Sequence, residues 1–506
     1  MQSLHSISQQ ILNITQLQPH APALLSPGQN PTSYRQLTDL LQAVTRRLAA
    51  WGFSRADRIA LVLPNGPDAA AAFLAISTVC ACAPLNPAYT CEEFTFSLQD
   101  LGIKALVTSF PTEHPCRQAA KAAGITVTSL VSNPTYAGLF TLEGDLPVSS
   151  ASVSYVEPDD VALLLHTSGT TSRPKIVPLT HRNLLASARN IISTYALSPQ
   201  DRCLNMMPLF HIHGLVGAVA STLCSGGSVI CAPGFNPEQV MSWLADQKPT
   251  WYTAVPSMHH AVLEAAAREP EKRKDLSLRF IRSCSSSLPP TLAQKLEEEF
   301  SVPVLEAYGM TEAAHQMASN PLPPGKNKHG SVGSATGTTS IAILDAQGTP
   351  LPAGQTGEIC IRGENVIHAY EGNPAANQSS FVDGWLRTGD LGTLDGDGYL
   401  FIQGRVKELI NRGGEKISPR EIDDVLMQHQ AVSEAVSFGV PHPTLGEDVA
   451  AAVVLRSNQT LSMLELRQFA STKLADHKIP RQIVFLAEIP KGPTGKFQRV
   501  LLAEKL

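Results

Sequence analysis

The sequence predicts an α/β protein with a large N-terminal domain, residues 1–404, and a small α+β C-terminal domain, residues 405–506. Three observations carry this. Apolar runs of strand length alternate with amphipathic stretches of helix length through the first two thirds, the pattern of parallel sheets between helical layers. From Gly330 to about Tyr399 the texture changes to short β-type segments separated by Gly-rich turns. After Arg405 it changes again, to a charged Lys407-Glu408 pair, the glycines Gly413-Gly414, and a helix opened by Ser418-Pro419 with Glu421 in its first turn. A chain of 506 residues also exceeds what one ordinary core fills.

In chain order, residues 34–51 and 67–80 read as helices, and 58–63 and 105–109 as strands. The nearly uncharged stretch 69–85 is rich in Ala, Ser, Thr and Cys, is short for a membrane span, and is broken by Pro84 and Pro87. It reads as a buried helix followed by a turn. Residues 161–166 form an apolar strand that empties into a Gly/Ser/Thr loop, and 302–305 another that leads to Tyr308. Turns fall at Gly354-Gln355-Thr356-Gly357 and at Asp395-Gly396-Asp397-Gly398.

Composition excludes several function classes. Hydrophobic residues at 43% and charged residues at 16%, with a formal net charge of −5, leave no electrostatic footprint for nucleic acid or an anionic membrane. The nine cysteines are scattered without a CxxC pair and read as reduced core thiols. Residues 1–18 lack a basic segment followed by an apolar run, and the chain ends Glu504-Lys505-Leu506 without the small first residue of a peroxisomal Ser-Lys-Leu. The expected compartment is the cytoplasm.

Five motifs carry chemistry. The loop Thr167-Ser168-Gly169-Thr170-Thr171-Ser172-Arg173-Pro174-Lys175 offers backbone N–H groups, hydroxyls and a cation, which polyphosphate binding needs. It is not a Walker A loop, because GxxxxGK[ST] is absent. Tyr308-Gly309-Met310-Thr311-Glu312 sets a hydroxyl beside a carboxylate at a strand-to-loop transition, suited to a phosphate and a bridging magnesium ion. Trp385-Leu386-Arg387-Thr388-Gly389-Asp390 supplies an acid suited to two ribose hydroxyls. Gly404-Arg405-Val406-Lys407-Glu408-Leu409-Ile410 and Pro493-Thr494-Gly495-Lys496 complete the set. Each alone is weak; together, in this order, they are highly specific.

With these motifs, the sequence resembles the acyl-adenylate-forming superfamily of acyl-CoA synthetases, luciferases and adenylation domains over essentially its whole length. Within it, the stretches 166–180, 208–214, 251–256, 279–288, 311–323 and 407–419 are similar to those of plant and fungal oxalyl-CoA synthetases. The resemblance implies an N-terminal domain of layered α/β subdomains plus a small distorted β-barrel, followed by a mobile C-terminal domain. It implies ATP, Mg2+ and coenzyme A, with Thr167, Ser168, Gly169, Thr170, Thr171 and Lys175 holding the ATP phosphates. Thr311 would touch the phosphate of AMP and Glu312 would bind magnesium. Asp390 and Arg405 would bind the ribose, while Ser285, Ser286, Ser287, Glu306, Ala307 and Tyr308 would line the adenine pocket. Lys496 would be the adenylation lysine, and Lys407 the hinge about which the Gly413-Gly414 segment reaches the CoA tunnel. Joining a carboxylate to AMP supplies a leaving group, so thiol attack needs no nucleophilic side chain and the missing GxSxG elbow is expected. Two departures stand out: Ile176 occupies a position where many relatives have glycine, and Lys416 one where aryl-CoA ligases often carry glutamine.

A pocket for long acyl chains or aryl groups should be lined with small and apolar residues, yet His211, His213, Arg282 and His315 lie in or beside the segments that build the acid site. A dicarboxylate such as oxalate leaves a second anion needing such donors. Alternatives are a structural role for His211 and His213 under the nucleotide, or a zinc pair, which lacks a third ligand. His259-His260, on a predicted helix, reads as a solvated or capping pair. The expected reaction is acid, ATP and CoA to acyl-CoA, AMP and pyrophosphate, in a monomer or homodimer without nucleic-acid or membrane partners. Other readings are a ligase for malonate or a coumarate-like acid, and an adenylation unit that loads a carrier protein; no carrier domain follows residue 506, which favours free CoA.

Overall fold

The computed structural model describes residues 6–144, 156–167, 174–490, 499 and 502. The chain divides into two compact units, one of Met1–His329, Gly333–Ser340 and Arg362–Gly384, the other of Gly330–Val332, Ile341–Ile361 and Trp385–Leu506. The architecture is α/β, a large N-terminal part followed by a smaller one. Among the described residues no helix is long and apolar enough to cross a membrane.

Two large sheets organise the first unit. One runs Phe140–Glu143, Thr126–Ser132, Ala105–Thr108, Arg58–Val62, Ala81–Pro84, Val161–His166, Ile176–Thr180, parallel inside and antiparallel at both edges. Its central strands read as continuous apolar runs because helices cover both faces. The helix Tyr34–Ala50 shows why one such cover forms. Ser33 and Gln36 close a capping box at its start, and Tyr34, Leu37, Leu41, Val44 and Leu48 recur at helical spacing on the buried side. Pro67–Ile76 is buried all round from Ala69 onward. The turn expected after it is instead the strand Ala81–Pro84, seated between Arg58–Val62 and Val161–His166. Small side chains make that possible: Ala81, Cys82 and Ala83 fit a strand pressed from both faces, where composition alone resembled a helix end. Eight of the nine cysteines are buried and all are free thiols.

The second sheet places Val304–Met310, Phe280–Ser283, Trp251–Ala254, Arg202–Asn205 and Ser228–Cys231 side by side in parallel. His315–Ser319 then returns antiparallel to Val304–Met310. The helix Pro256–Arg268 corrects the expectation for His259. His259 is fully buried on the face shared with Val262 and Ala266, its Nδ1 3.4 Å from Tyr252 Oη, and burial pushes its imidazole down to about 3. Only His260 reaches solvent, beside Glu264. Two adjacent histidines on a helix point about 100° apart, so one doublet can serve the core and the surface at once.

In the second unit, Gly357–Arg362, Trp385–Leu394 and Leu400–Arg405 form antiparallel ladders. A further sheet runs Glu415–Ile417, Ile410–Arg412, Gly446–Leu455, Val432–His442, with Gln482–Phe485 parallel to Gly446–Leu455. Pro419–Leu426, with Ser418 before it and Glu421 in its first turn, buries Ile422 and Leu426 against Val432, Val449 and Ala451.

Candidate active site

The loop after Val161–His166 is closed at its base by two hydrogen bonds: Thr167 N–H donates to the Lys175 carbonyl at 3.0 Å, and Lys175 N–H to Thr167 Oγ1 at 3.3 Å. Ser168, Gly169, Thr170 and Thr171 lie outside the described residues. His166, just before the loop, is held by Asp100 at 2.9 Å and stacked on Phe96.

Opposite chain segments converge on the turn that carries Thr311 and Glu312. The strand Val304–Met310 ends there in a single 3-10 turn, Thr311–Ala313, after which Ala314 and His315 take φ of +49° and +107°. Non-glycine residues in that region are strained and persist only where the surroundings hold them. Here Asn365, fully buried, donates to the carbonyls of Ala313 and Gln316 at 3.0 and 3.2 Å, and Ile367 N–H donates to the Glu312 carbonyl at 2.9 Å. Tyr370 Oη donates to Glu312 Oε1 at 2.8 Å while Lys175 Nζ stands 4.1 Å over the same ring. One tyrosine therefore touches both the loop lysine and the acid. Glu312, one carboxylate beside a hydroxyl, suits a magnesium ion that takes most of its ligands from phosphate and water. No cluster of three His, Cys, Asp or Glu side chains forms an all-protein metal cage among the described residues.

Ser285, Ser286 and Ser287 follow the strand Phe280–Ser283, which pairs with Val304–Met310 so that Ser283 faces Glu306. Glu306, buried, accepts from Leu288 N–H at 2.9 Å and fastens the serine run to its own strand. Ala307 and Tyr308 continue that strand, so the expected adenine-lining residues share one sheet edge.

The acid-site candidates form a buried polar cluster. Arg282 is fully buried, and so are His213 and His315, whose rings stack with centroids 4.9 Å apart. Arg282 donates to Tyr195 Oη at 3.0 Å, Thr253 Oγ1 at 3.1 Å, His315 Nε2 at 2.9 Å and Gln316 Oε1 at 3.0 Å, with His213 Nε2 at 3.4 Å. His213 Nε2 also lies 2.6 Å from Thr253 Oγ1, and its Nδ1 3.0 Å from Ser285 Oγ. Burial, then the charge of Arg282, then His213 hold the His315 imidazole well below its usual range, and so neutral. His213 opens a π-helix, His213–Ala220, whose Gly217 admits the His315 ring: a Cβ there would lie 2.5 Å from it. Such helices recur at functional sites. His211 is half-buried at the turn before, its ring 4.5 Å from that of Phe210.

The remaining candidates belong to the second unit. Asp390 and Arg405 face each other across an antiparallel ladder, with Arg405 Nε donating to Asp390 Oδ1 at 3.0 Å. Lys407 is exposed on the short turn that follows. Gly413 and Gly414, both at positive φ, make the two-residue turn of a hairpin in which Arg412 faces Glu415. Lys496 lies outside the described residues. Sequence reasoning missed Tyr195, Thr253, Gln316, Asn365 and Tyr370. Only Thr253 left a trace, as a hydroxyl inside an otherwise apolar strand.

Residues 13–371 match the family model of the AMP-binding enzyme, and residues 421–496 that of the AMP-binding enzyme C-terminal domain. The chain is 43% identical over 501 residues to an oxalate–CoA ligase of Arabidopsis thaliana, covering 97% of each chain. It is 42% identical over 476 residues to an oxalate–CoA ligase of Saccharomyces cerevisiae, covering 89% of this chain and 87% of that one. The crystal structure of ATP-bound MatB from Rhodopseudomonas palustris matches it with a TM-score of 0.90 over 99% of both chains, at 29% identity. A family model matching over two thirds of the chain, with relatives above 40% identity along nearly its full length, shows that the chain belongs to the AMP-binding enzyme family.

Proposed function

We propose that this chain is an ATP-dependent, AMP-forming acid–CoA ligase whose acid is a small dicarboxylate, oxalate first among them. The observation that carries the acid is Arg282. A fully buried cation pairs with no carboxylate among the described residues: it meets two hydroxyls, an amide oxygen and two imidazoles. A buried charge is costly until an anion joins it, and an acid with a second carboxylate brings one. The identity to oxalate–CoA ligases supports the same reading.

In the first half-reaction the acid's carboxylate oxygen attacks the α-phosphorus of ATP, and the bond to pyrophosphate breaks. Thr167, Ser168, Gly169, Thr170, Thr171 and Lys175 hold the phosphates and Thr311 the α-phosphate. Glu312 would hold Mg2+, which supplies charge neutralisation on the phosphates when bound. Ser285, Ser286, Ser287, Glu306, Ala307 and Tyr308 line the adenine, and Asp390 with Arg405 takes the ribose. Lys496 places a cation where negative charge builds on the carboxylate and phosphate oxygens. In the second half-reaction the CoA thiolate attacks the acyl carbon, AMP leaves, and no side-chain nucleophile takes part. We place the hinge between the two steps at Lys407, with residues 405–506 moving and Gly413-Gly414 meeting the thiol. His211 and His315 serve the second carboxylate, with His213 set behind them and Arg282 contributing its charge from beneath. The free buried cysteines fit a cytoplasmic setting.

The test is CoA-dependent AMP release by the purified chain with oxalate, malonate, acetate and coumarate. Oxalate is expected to give the highest kcat/KM. Turnover of coumarate or acetate with none of either dicarboxylate would sink the acid assignment, and adenylation without transfer to CoA would turn the reading towards a carrier-protein acceptor.

A further inference from the structure

A guanidinium has five N–H donors and no acceptor. In Arg282 all five are engaged: Nε by Tyr195, Nη1 by Thr253 and His213, Nη2 by His315 and Gln316. Nothing is left with which to grip a ligand directly. The consequence falls on its neighbours. Because arginine can only donate, His315 Nε2, 2.9 Å away, must accept, and the neutral ring then carries its proton on Nδ1. No described residue accepts from that Nδ1, and Gly309 packs closely against His315, where a Cβ would lie 2.1 Å from its carbonyl oxygen and 3.2 Å from Nδ1.

The same logic passes through His213. Thr253 Oγ1 accepts from Arg282, so its own proton goes to His213 Nε2 at 2.6 Å, the one acceptor the described residues offer it. His213 therefore holds its proton on Nδ1 and donates to Ser285 Oγ at 3.0 Å. The Ser285 hydroxyl proton is turned away from that bond. Ser285 is half-buried on strained backbone, with φ +74°.

We propose that Arg282 is a positioning residue rather than an acid ligand: it sets both imidazoles in the Nδ1–H tautomer, so that His315 Nδ1–H and the Ser285 hydroxyl become paired donors for the far carboxylate of the acid. The role assigned to that carboxylate rests on the dicarboxylate reading above. The tautomers do not.

Two measurements on the full chain test it. In 15N-histidine-labelled protein without ligand at neutral pH, two-bond proton–nitrogen correlations report each tautomer, and the His315 signal is the one lost in His315→Asn. A neutral Nδ1–H ring is expected in the wild type, with that signature lost in Arg282→Gln, whose amide oxygen can accept where arginine can only donate. An Nε2–H or cationic His315 overturns the proposal. In AMP-release kinetics, His315→Asn places an amide N–H near the Nδ1 position and is expected to hold the KM for oxalate within ~10-fold, whereas His315→Gln, reaching the Nε2 position, raises it ~100-fold. Equal losses overturn the proposal. Arg282→Lys, which keeps the charge but not the fork, is expected to raise KM by ~10-fold or more with kcat changed by less than ~3-fold. A wild type that turns over no dicarboxylate sinks the substrate reading alone, and the spectra still decide the tautomers.

Discussion

Single side chains at this site are held by contacts that leave little slack, and their removal has specific consequences. Gly217 sits where a Cβ would meet the His315 ring at 2.5 Å, and Gly214, three residues earlier in the same π-helix, likewise stands where a Cβ would lie 2.6 Å from the Pro208 carbonyl oxygen. Gly217→Ala is therefore expected to displace His315 and raise the KM for the acid by ~10-fold, with ATP affinity unchanged, as overpacking costs about 1–3 kcal/mol. Tyr370→Phe keeps the ring beneath Lys175 but removes the hydrogen bond to Glu312. Titrating activity against magnesium should show on the order of 10-fold or more weaker apparent affinity for Mg·ATP, the worth of one charge-assisted hydrogen bond; an unchanged curve would separate Tyr370 from the acid's function. Lys496→Ala is expected to slow adenylation by on the order of 10²-fold while thioester formation from supplied acyl-adenylate continues. Equal loss in both half-reactions would remove Lys496 from the first step.

Among the elements, the helix Pro419–Leu426 carries the most exposed dependence on a single partner. Its Asp423 accepts from Ser437 N–H and from Arg499 Nη2 at 2.6 Å, and Arg499 also reaches Glu408, beside Lys407, at 3.2 Å. Burial pushes the Asp423 carboxyl up to about 6 even against the pull of Arg499. Arg499→Met would leave that acid buried alone, at a cost of about 3–5 kcal/mol. The sign with pH follows from the raised carboxyl: without its partner it is pushed higher still, so acid neutralises it. Thermal melts of the variant should therefore show a larger deficit above neutral pH than near pH 5, and a uniform deficit would mean that Asp423 does not carry the effect. The same arginine links the helix, the strand Val432–His442 through the Ser437 carbonyl, and the segment that follows Lys496.

At the scale of the whole molecule, the first unit buries several histidines in neutral form. Burial drives His181 down to about 4 and His259 to about 3, and His315 lies well below its usual range. In each, the unfolded chain takes up a proton below about 6.5 that the folded chain refuses. Their stability contribution is whole above that pH and is lost as pH falls toward 4. For His181 alone the loss reaches roughly 3 kcal/mol. Melting temperature is expected to fall steadily from pH 6.5 to 4, and His259→Leu should make the fall less steep. A flat profile over that interval would show that these rings are not held neutral.

Local order was legible in the residues themselves. The strand Val161–His166, the helix start at Ser418-Pro419 and the helix beginning at Tyr34 follow from apolar period and turn chemistry, each acting over a few positions. The five motifs, and with them the family, are likewise short-range patterns. Tertiary structure alone decided that His259 is core while His260 is surface, that Tyr370 meets Glu312 from 58 residues away, and that the five donors of Arg282 find acceptors on four separate segments. The reason is physical: a buried donor must find some acceptor, but which one depends on where distant strands and turns bring oxygen and nitrogen atoms within 3 Å or so, a matching that no local periodicity encodes.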